Sequence, residues 1–284
     1  MKKSVFLLAF GVLGFNIYAF DPAPALVPVG NVKDYTKTDY TITEKFGDYY
    51  RSPKAKYVHV FDENGRQTET SEFTGKDVPV DRIVYSYDEA GNLVSTTGFD
   101  ADGKLNWKIS ATFDSKNRKT EESEFNAANV LVSKSIWKYN GSQSEEAYYN
   151  SDGALLGKII TKTDDNDRII EVSSYVSSGK LDNKRTYSYN DAGKVSEITY
   201  WNSEGNVSSR VVFRFDEKFT LTEVQTYSST NKLVQRVIYK YDEKGNVLRT
   251  TSYAVSEKFG GTVNELTAIN EFAFNYANSA ADAK

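Results

Sequence analysis

Cysteine is absent from the 284 residues, and histidine and methionine occur once each, as His59 and Met1. The missing cysteine excludes disulfides, thiol nucleophiles, thiolate metal sites and a lipid-bearing N-terminal cysteine. Proline is scarce, at five residues, and no stretch of ten or more residues carries a helical hydrophobic period. Basic excess is missing too. Once Lys2 and Lys3 are set aside, 33 Lys and Arg face 39 Asp and Glu, a formal charge of about -6, which argues against a nucleic-acid partner. What is abundant is aromatic: 20 Tyr and 16 Phe bring aromatics to 14% of the chain, the composition of an all-β protein.

The chain opens MKKSVFLLAFGVLGFNIYAF, two lysines and then an apolar run too short to span a bilayer comfortably. That pattern predicts a signal peptide over residues 1–19, cut near Ala19, and so an exported protein of the periplasm, cell surface or extracellular space. No membrane span is expected in the mature chain.

From residue 55 to 258 the sequence repeats with a period of 26. YSYDEAGNL at Tyr85 returns as YSYNDAGKV at Tyr187 and YKYDEKGNV at Tyr239. Turns of this kind are indexed by Gly65, Gly91, Asn117, Gln143, Asp167, Gly193, Phe219 and Gly245. A second set at Asp77, Gly103, Asn129, Gly153, Gly179, Gly205, Asn231 and Glu257 divides each repeat into arms of 12 and 14 residues. One arm, between Gln143 and Gly153, is two residues short. Asp88 suits the first place of a type I turn and Gly91 the left-handed residue that closes a three-residue hairpin loop. Turns on one rim recur about 9.6 Å apart, too far for neighbouring carboxylates to share a calcium ion.

Such a loop sets Tyr87 opposite Leu93, Phe99 opposite Leu105, Tyr189 opposite Val195 and Tyr241 opposite Val247, aromatic–aliphatic pairs worth about 0.2 to 1 kcal/mol each. The fold expected is all-β: an antiparallel meander of about sixteen strands in a coiled sheet with its aromatic face inward, either a flattened barrel-like coil or an open superhelical ribbon. Residues 20–54 read as a lead-in segment, 259–276 as a terminal capping strand and 277–284 as a disordered tail. Long arms exceed short ones by two residues, which implies the one-residue-per-strand shear of a tilted barrel.

Strict alternation places Leu105, Trp107, Ile109, Ala111 and Phe113 on the aromatic face. Carried through the even arms, it also puts Glu121, Glu171, Glu197 and Glu223 there, with Glu171 opposite Arg185, Glu197 between Tyr187 and Val211, and Glu223 between Phe213 and Val237. Carboxylates among the aromatic platforms Trp137, Tyr187 and Tyr239, with Arg185 beside them, make these eight residues the candidate ligand-binding set, suited to a hydrogen-bonded core ladder or a sugar-binding groove.

YSYDEAGNL, YSYNDAGKV and YKYDEKGNV resemble the tyrosine-aspartate (YD) repeats of Rhs-type bacterial proteins, over about 200 residues. YYNSDGALLGK is more weakly similar to MORN-like repeats. The resemblance implies spiralling β-sheets of exported or surface-associated proteins, used as shells or in carbohydrate and cell-surface contacts, and no catalytic residue. This chain has far fewer repeats than the large Rhs proteins and no toxin-like C-terminal domain.

His59 stands where other copies have Tyr85, Trp137, Tyr187, Phe213 and Tyr239, so it reads as an aromatic substitute and not a base. The sequence shows no catalytic residue, metal site or cofactor motif. The function expected is a non-enzymatic exported binding or scaffold surface at the bacterial envelope, with carbohydrate or a cell-surface or envelope protein as partner. An outer-membrane β-barrel and a glycan-cleaving enzyme stay open as alternatives.

Overall fold

The structure, a computed structural model, describes residues 26–258 and 260–277. The expected leader and the tail from residue 278 lie outside the described residues. Eighteen strands follow one another. The first six are β1 (Val32–Lys45), β2 (Asp48–Phe61), β3 (Gln67–Thr74), β4 (Pro79–Tyr87), β5 (Leu93–Asp100) and β6 (Leu105–Phe113). Next come β7 (Lys119–Asn126), β8 (Leu131–Asn140), β9 (Gln143–Asn150), β10 (Leu155–Thr163), β11 (Ile169–Val176) and β12 (Leu181–Tyr189). The last are β13 (Val195–Trp201), β14 (Val207–Phe215), β15 (Leu221–Ser228), β16 (Leu233–Tyr241), β17 (Val247–Lys258) and β18 (Gly261–Tyr276).

Each strand pairs antiparallel with the next, and β1 pairs with β18 from Val32–Tyr276 to Tyr40–Ile269, so the meander closes into a barrel. The repeat supplies β2 to β17. The flanking segments add β1 and β18, whose pairing covers the two edges an open sheet would expose. Walking across the register from Ile83 through Gly98 leads to Trp107, two residues short of Ile109, the repeat equivalent of Ile83. That is the expected climb of two residues per two strands, which tilts the strands to about 36°.

The turns form as their chemistry requires. In YSYDEAGNL the Asp88 N–H donates to Asn92 O at 3.0 Å, Gly91 N–H donates to Asp88 O at 3.0 Å, and the Asp88 carboxylate accepts from Asn92 N–H at 2.8 Å. Gly91 sits at φ 86°. Asn117, Asp167 and Phe219 hold the same left-handed place at φ 57–59°. In the Asp114 turn, the Arg118 side chain and then its backbone N–H hold the carboxyl down at about 2. Two turns differ: the left-handed residues are Gly141 and Gly260, where Gln143 and Glu257 are the indexed positions. Asn140 pairs with Gln143 across a two-residue loop, which accounts for the short arm.

One feature overturns the expected faces. At nearly every turn one strand carries a β-bulge just past the loop: Tyr87 pairs with Leu93, but Ser86 pairs with Ser95, skipping Val94. A bulge sets two residues against one and so inverts the alternation for the rest of the strand. Glu171 therefore pairs with Lys162 and Thr186, and it is Val172 that faces Arg185. Ile198 lies between Tyr187 and Val211, and Val224 between Phe213 and Val237. Glu121, paired with Thr112 and Ile136, slips in the same way. All four glutamates project outward, as does Leu105, which shares its face with Phe99 and Arg82.

The inner face is the buried one. Tyr35 (1% exposed), Phe272 and Val247 form one cluster, and Ile159, Val172 and Tyr187 another. His59, 3% exposed, stacks on Tyr35 at 4.4 Å between ring centroids and bonds through Nδ1 to Gln67 and Thr70.

The two rims clasp differently. On the YSYD rim the aromatic lies inside, and every second copy is a tyrosine whose hydroxyl donates to a carbonyl on the preceding strand: Tyr87 to Gln67, Tyr139 to Lys119, Tyr189 to Ile169 and Tyr241 to Leu221, at 2.5–2.8 Å. Phe61, Phe113, Thr163 and Phe215 occupy the intervening copies, so the true period is two hairpins. On the opposite rim the aromatics lie outside, each directly across from a cation, as in Arg82–Phe99, Lys158–Tyr175, Lys184–Trp201 and Arg210–Tyr227. Those cations stand 4.9–5.8 Å from the ring centroids. Tyr139→Phe is expected to cost about 1 kcal/mol in urea denaturation, the net value of one hydrogen bond. An unchanged midpoint would show that the hydroxyl clasp contributes nothing.

Candidate functional site

Because the repeat is internal, each copy serves as a standard for the others. At mid-height on the inner face the paired residues run Thr70–Ile83, Thr96–Ile109, Glu122–Ser135, Glu146–Ile159, Val172–Arg185, Ile198–Val211 and Val224–Val237. Aliphatic and threonine side chains fill this row except at Glu122, Ser135, Glu146 and Arg185, all between β7 and β12. Glu122 sits between Ala111 and Ser135, and Glu146 between Trp137 and Ile159. The next position on β9 adds Tyr148, paired with Ser135 and Gly157.

These side chains form one polar patch. Lys119 Nζ donates to Glu122 Oε2 at 2.5 Å and lies 5.2 Å from the centroid of Trp137. Ser133 donates to Glu124 Oε2 at 2.9 Å. Burial, and secondarily the Glu122 charge, push the Glu146 carboxyl up to about 7, although the Tyr148 and Ser135 hydroxyls and Lys119 pull the other way. The Tyr148 phenol is raised, first by burial and then by Glu146, and Arg185 opposes that rise. Glu122 and Lys119 point inward yet keep about a third of their side-chain surface exposed, 32% and 31%, so the interior is not packed shut at this level.

The patch thus combines three carboxyl groups, that of Glu146 poised near neutrality, with two cations, hydroxyls and an indole. It can accept and donate hydrogen bonds to a polar ligand at once. Among the described residues no group of acids and histidine could hold a metal ion.

No family model matches the chain. No curated protein matches it either. Its fold is similar to solved structures at low identity. One is a porin-like protein from Bacteroides uniformis, at 10% identity over 87% of this chain and 99% of that chain, with a TM-score of 0.49. Another is the TcdB2-TccC3-Cdc42 structure, at 12% identity over 75% of this chain and 16% of that chain, with a TM-score of 0.27. A third is a DUF1329 family protein from Desulfovibrio piger, at 6% identity over 89% of both chains, with a TM-score of 0.23. None of these likenesses bears on chemistry.

The eight residues proposed from sequence divide between the two faces. Trp137, Tyr187, Tyr239 and Arg185 are inside, and Trp137 and Arg185 border the patch. Outside, Glu121, Glu171, Glu197 and Glu223 pair with Lys134, Lys162, Arg210 and Arg236 at 2.5–2.8 Å. Those partners hold Glu121, Glu171 and Glu223 below the usual carboxylate range, against the opposing effect of burial. These four glutamates belong to the outer wall's ion-pair ladder. Sequence reasoning missed Glu122 and Glu146, although a signal existed: they are the two acids in a column that elsewhere reads Thr70, Thr96, Val172, Ile198, Val224 and Thr250.

Proposed function

We propose that the protein is an exported, non-enzymatic binding barrel of the bacterial envelope, built from YD-type repeats, whose inner Glu122–Glu146 patch takes a carbohydrate. The observation that carries the reading is the gathering of Glu122, Ser135, Glu146 and Arg185, the polar breaks in the inner mid-height row between Thr70 and Val237, into one part-solvated patch beside Trp137. Hydroxyl-rich ligands match such a surface, because paired donors and acceptors must replace the water they lose. The leader sequence supports export.

Among the described residues no helix is long and apolar enough to cross a membrane. The outer wall weighs against a strand-built membrane barrel. At mid-height it presents Glu–Lys and Glu–Arg pairs, where a lipid-facing band requires apolar side chains.

Titration of residues 20–284 with a panel of oligosaccharides tests the reading. Glu122→Gln and Glu146→Gln are expected to weaken binding about tenfold or more, about 1.4 kcal/mol. Glu121→Gln and Glu197→Gln should leave it unchanged. Equal losses from inner and outer variants would overturn the assignment, and substrate turnover abolished by Glu146→Gln would favour the glycan-cleaving alternative.

A further inference from the structure

The strands that close the ring hold a second concavity, on the outside of the wall and apart from the inner patch. Lys240 of β16, Arg249 of β17, Glu271 of β18 and Thr38 of β1 are successive direct partners, one straight row across four strands. They line a cavity of about 520 Å³, together with Tyr40 and Leu248. That volume falls within the span of small-molecule sites.

The charges of this row depart from the repeat. The outer position of Arg249 is Glu69, Glu121, Glu145, Glu171, Glu197 or Glu223 in six other copies and Ser95 in the seventh. The neighbour in Lys240's place therefore meets an acid elsewhere, as in Lys162–Glu171 and Arg214–Glu223. At the seam the acid is replaced by arginine, and Lys240 lies directly across from Arg249. Like charges directly opposed on a sheet are destabilising. The one carboxylate in the row, Glu271, is already engaged: Arg249 donates to its Oε1 through Nε and Nη2, and Arg51 donates to the same oxygen at 2.6 Å. The Arg51 guanidinium also covers the Tyr40 ring at 4.7 Å. Two arginines thus share one carboxylate, and Lys240, directly across from Arg249, has no acid partner among the described residues.

We infer that this seam cavity binds a small acidic sugar, a ring bearing one carboxylate. The carboxylate would meet Lys240 and the spare N–H groups of Arg249, which relieves the opposed charges. The hydroxyl of Thr38 faces the ring hydroxyls, and Leu248 with the Tyr40 ring supplies the apolar floor that sugar C–H faces require.

The test uses the mature chain, titrated with glucuronate, glucose and inorganic sulfate at constant ionic strength and followed by calorimetry or NMR shifts. Glucuronate is expected to bind and glucose to bind at least tenfold more weakly. Lys240→Ala, which removes an exposed side chain without an ion pair, should weaken glucuronate about tenfold. Arg249→Glu restores the charge of the repeat and should abolish binding, with folding checked by circular dichroism. Glu197→Gln, which breaks an outer ion pair away from the seam, should leave glucuronate binding intact, so that the losses at Lys240 and Arg249 assign the binding to the seam. The inference fails if glucose or sulfate matches glucuronate, if Lys240→Ala binds unchanged, or if the folded chain binds no glucuronate at millimolar concentration.

Discussion

Gly98→Val is expected to destabilise the barrel by about 3 kcal/mol, the upper part of the range for overpacking a closed core. Gly98 is buried on the inner face and pairs directly with Ile83 and Trp107. Its backbone is not left-handed, so a side chain is barred by space alone. A Cβ at this position would overlap the Cε2 and Nε1 atoms of the Trp107 indole and lie 2.8 Å from Cζ2. The indole covers the glycine and fills the gap it leaves in the sheet, as aromatics do beside strand glycines. Any side chain at 98 must turn the indole away and forfeit that contact on both residues. The double variant Gly98→Val/Trp107→Leu separates this from a general intolerance of the strand. If displacement of the indole is the cause, the two changes will be less costly together than their sum by about 1–2 kcal/mol, as contacting residues often are. Additive losses in urea denaturation would show that Gly98 serves some other purpose.

The repeat made this architecture readable. A period of 26, turn residues such as Asp88 and Gly91, and clasps such as Tyr87–Leu93 follow from local chemistry, and the structure has them. The bulges were not readable, because their skipped residues share no type: Val94, Asn106, Thr120, Asp182 and Ser208 all serve. A bulge depends on how a loop meets the twist of its strands, not on one side chain. Missing it moved Glu121 and its equivalents from the outer wall to the inner face, and concealed Glu122 beside it. The ring closure was hidden for another reason. TKTDYTITEK alternates as a strand should, but its partner in β18, from Ile269 to Ala273, lies at the far end of the chain, and no local signal links them. The seam's reversed charge at Arg249, by contrast, is visible once the copies are aligned.

Glu146 gives the clearest pH signature. Its carboxyl is raised from 4.5 to about 7, chiefly by burial and next by the charge of Glu122. The folded protein therefore holds this proton more tightly than the unfolded chain does. Stability drawn from the site is complete below about pH 4.5 and is lost as pH rises through 7, an effect of up to about 3 kcal/mol. The turn aspartates act in the opposite sense, since Asp62, Asp88, Asp114 and Asp164 are all held low and lose their contribution in acid. A pH scan of the wild type alone would mix the two. Glu146→Gln isolates the site, because glutamine keeps the shape and some of the hydrogen bonding of the neutral acid. Wild type and variant should be about equally stable near pH 4.5, and the variant should be the more stable by about 3 kcal/mol at pH 8. Glu122→Gln should shrink that gap by removing the facing charge. Parallel stability curves for wild type and Glu146→Gln from pH 4.5 to 8 would mean that Glu146 ionises freely. The inner patch would then be open water, with no desolvated acid to recognise a ligand.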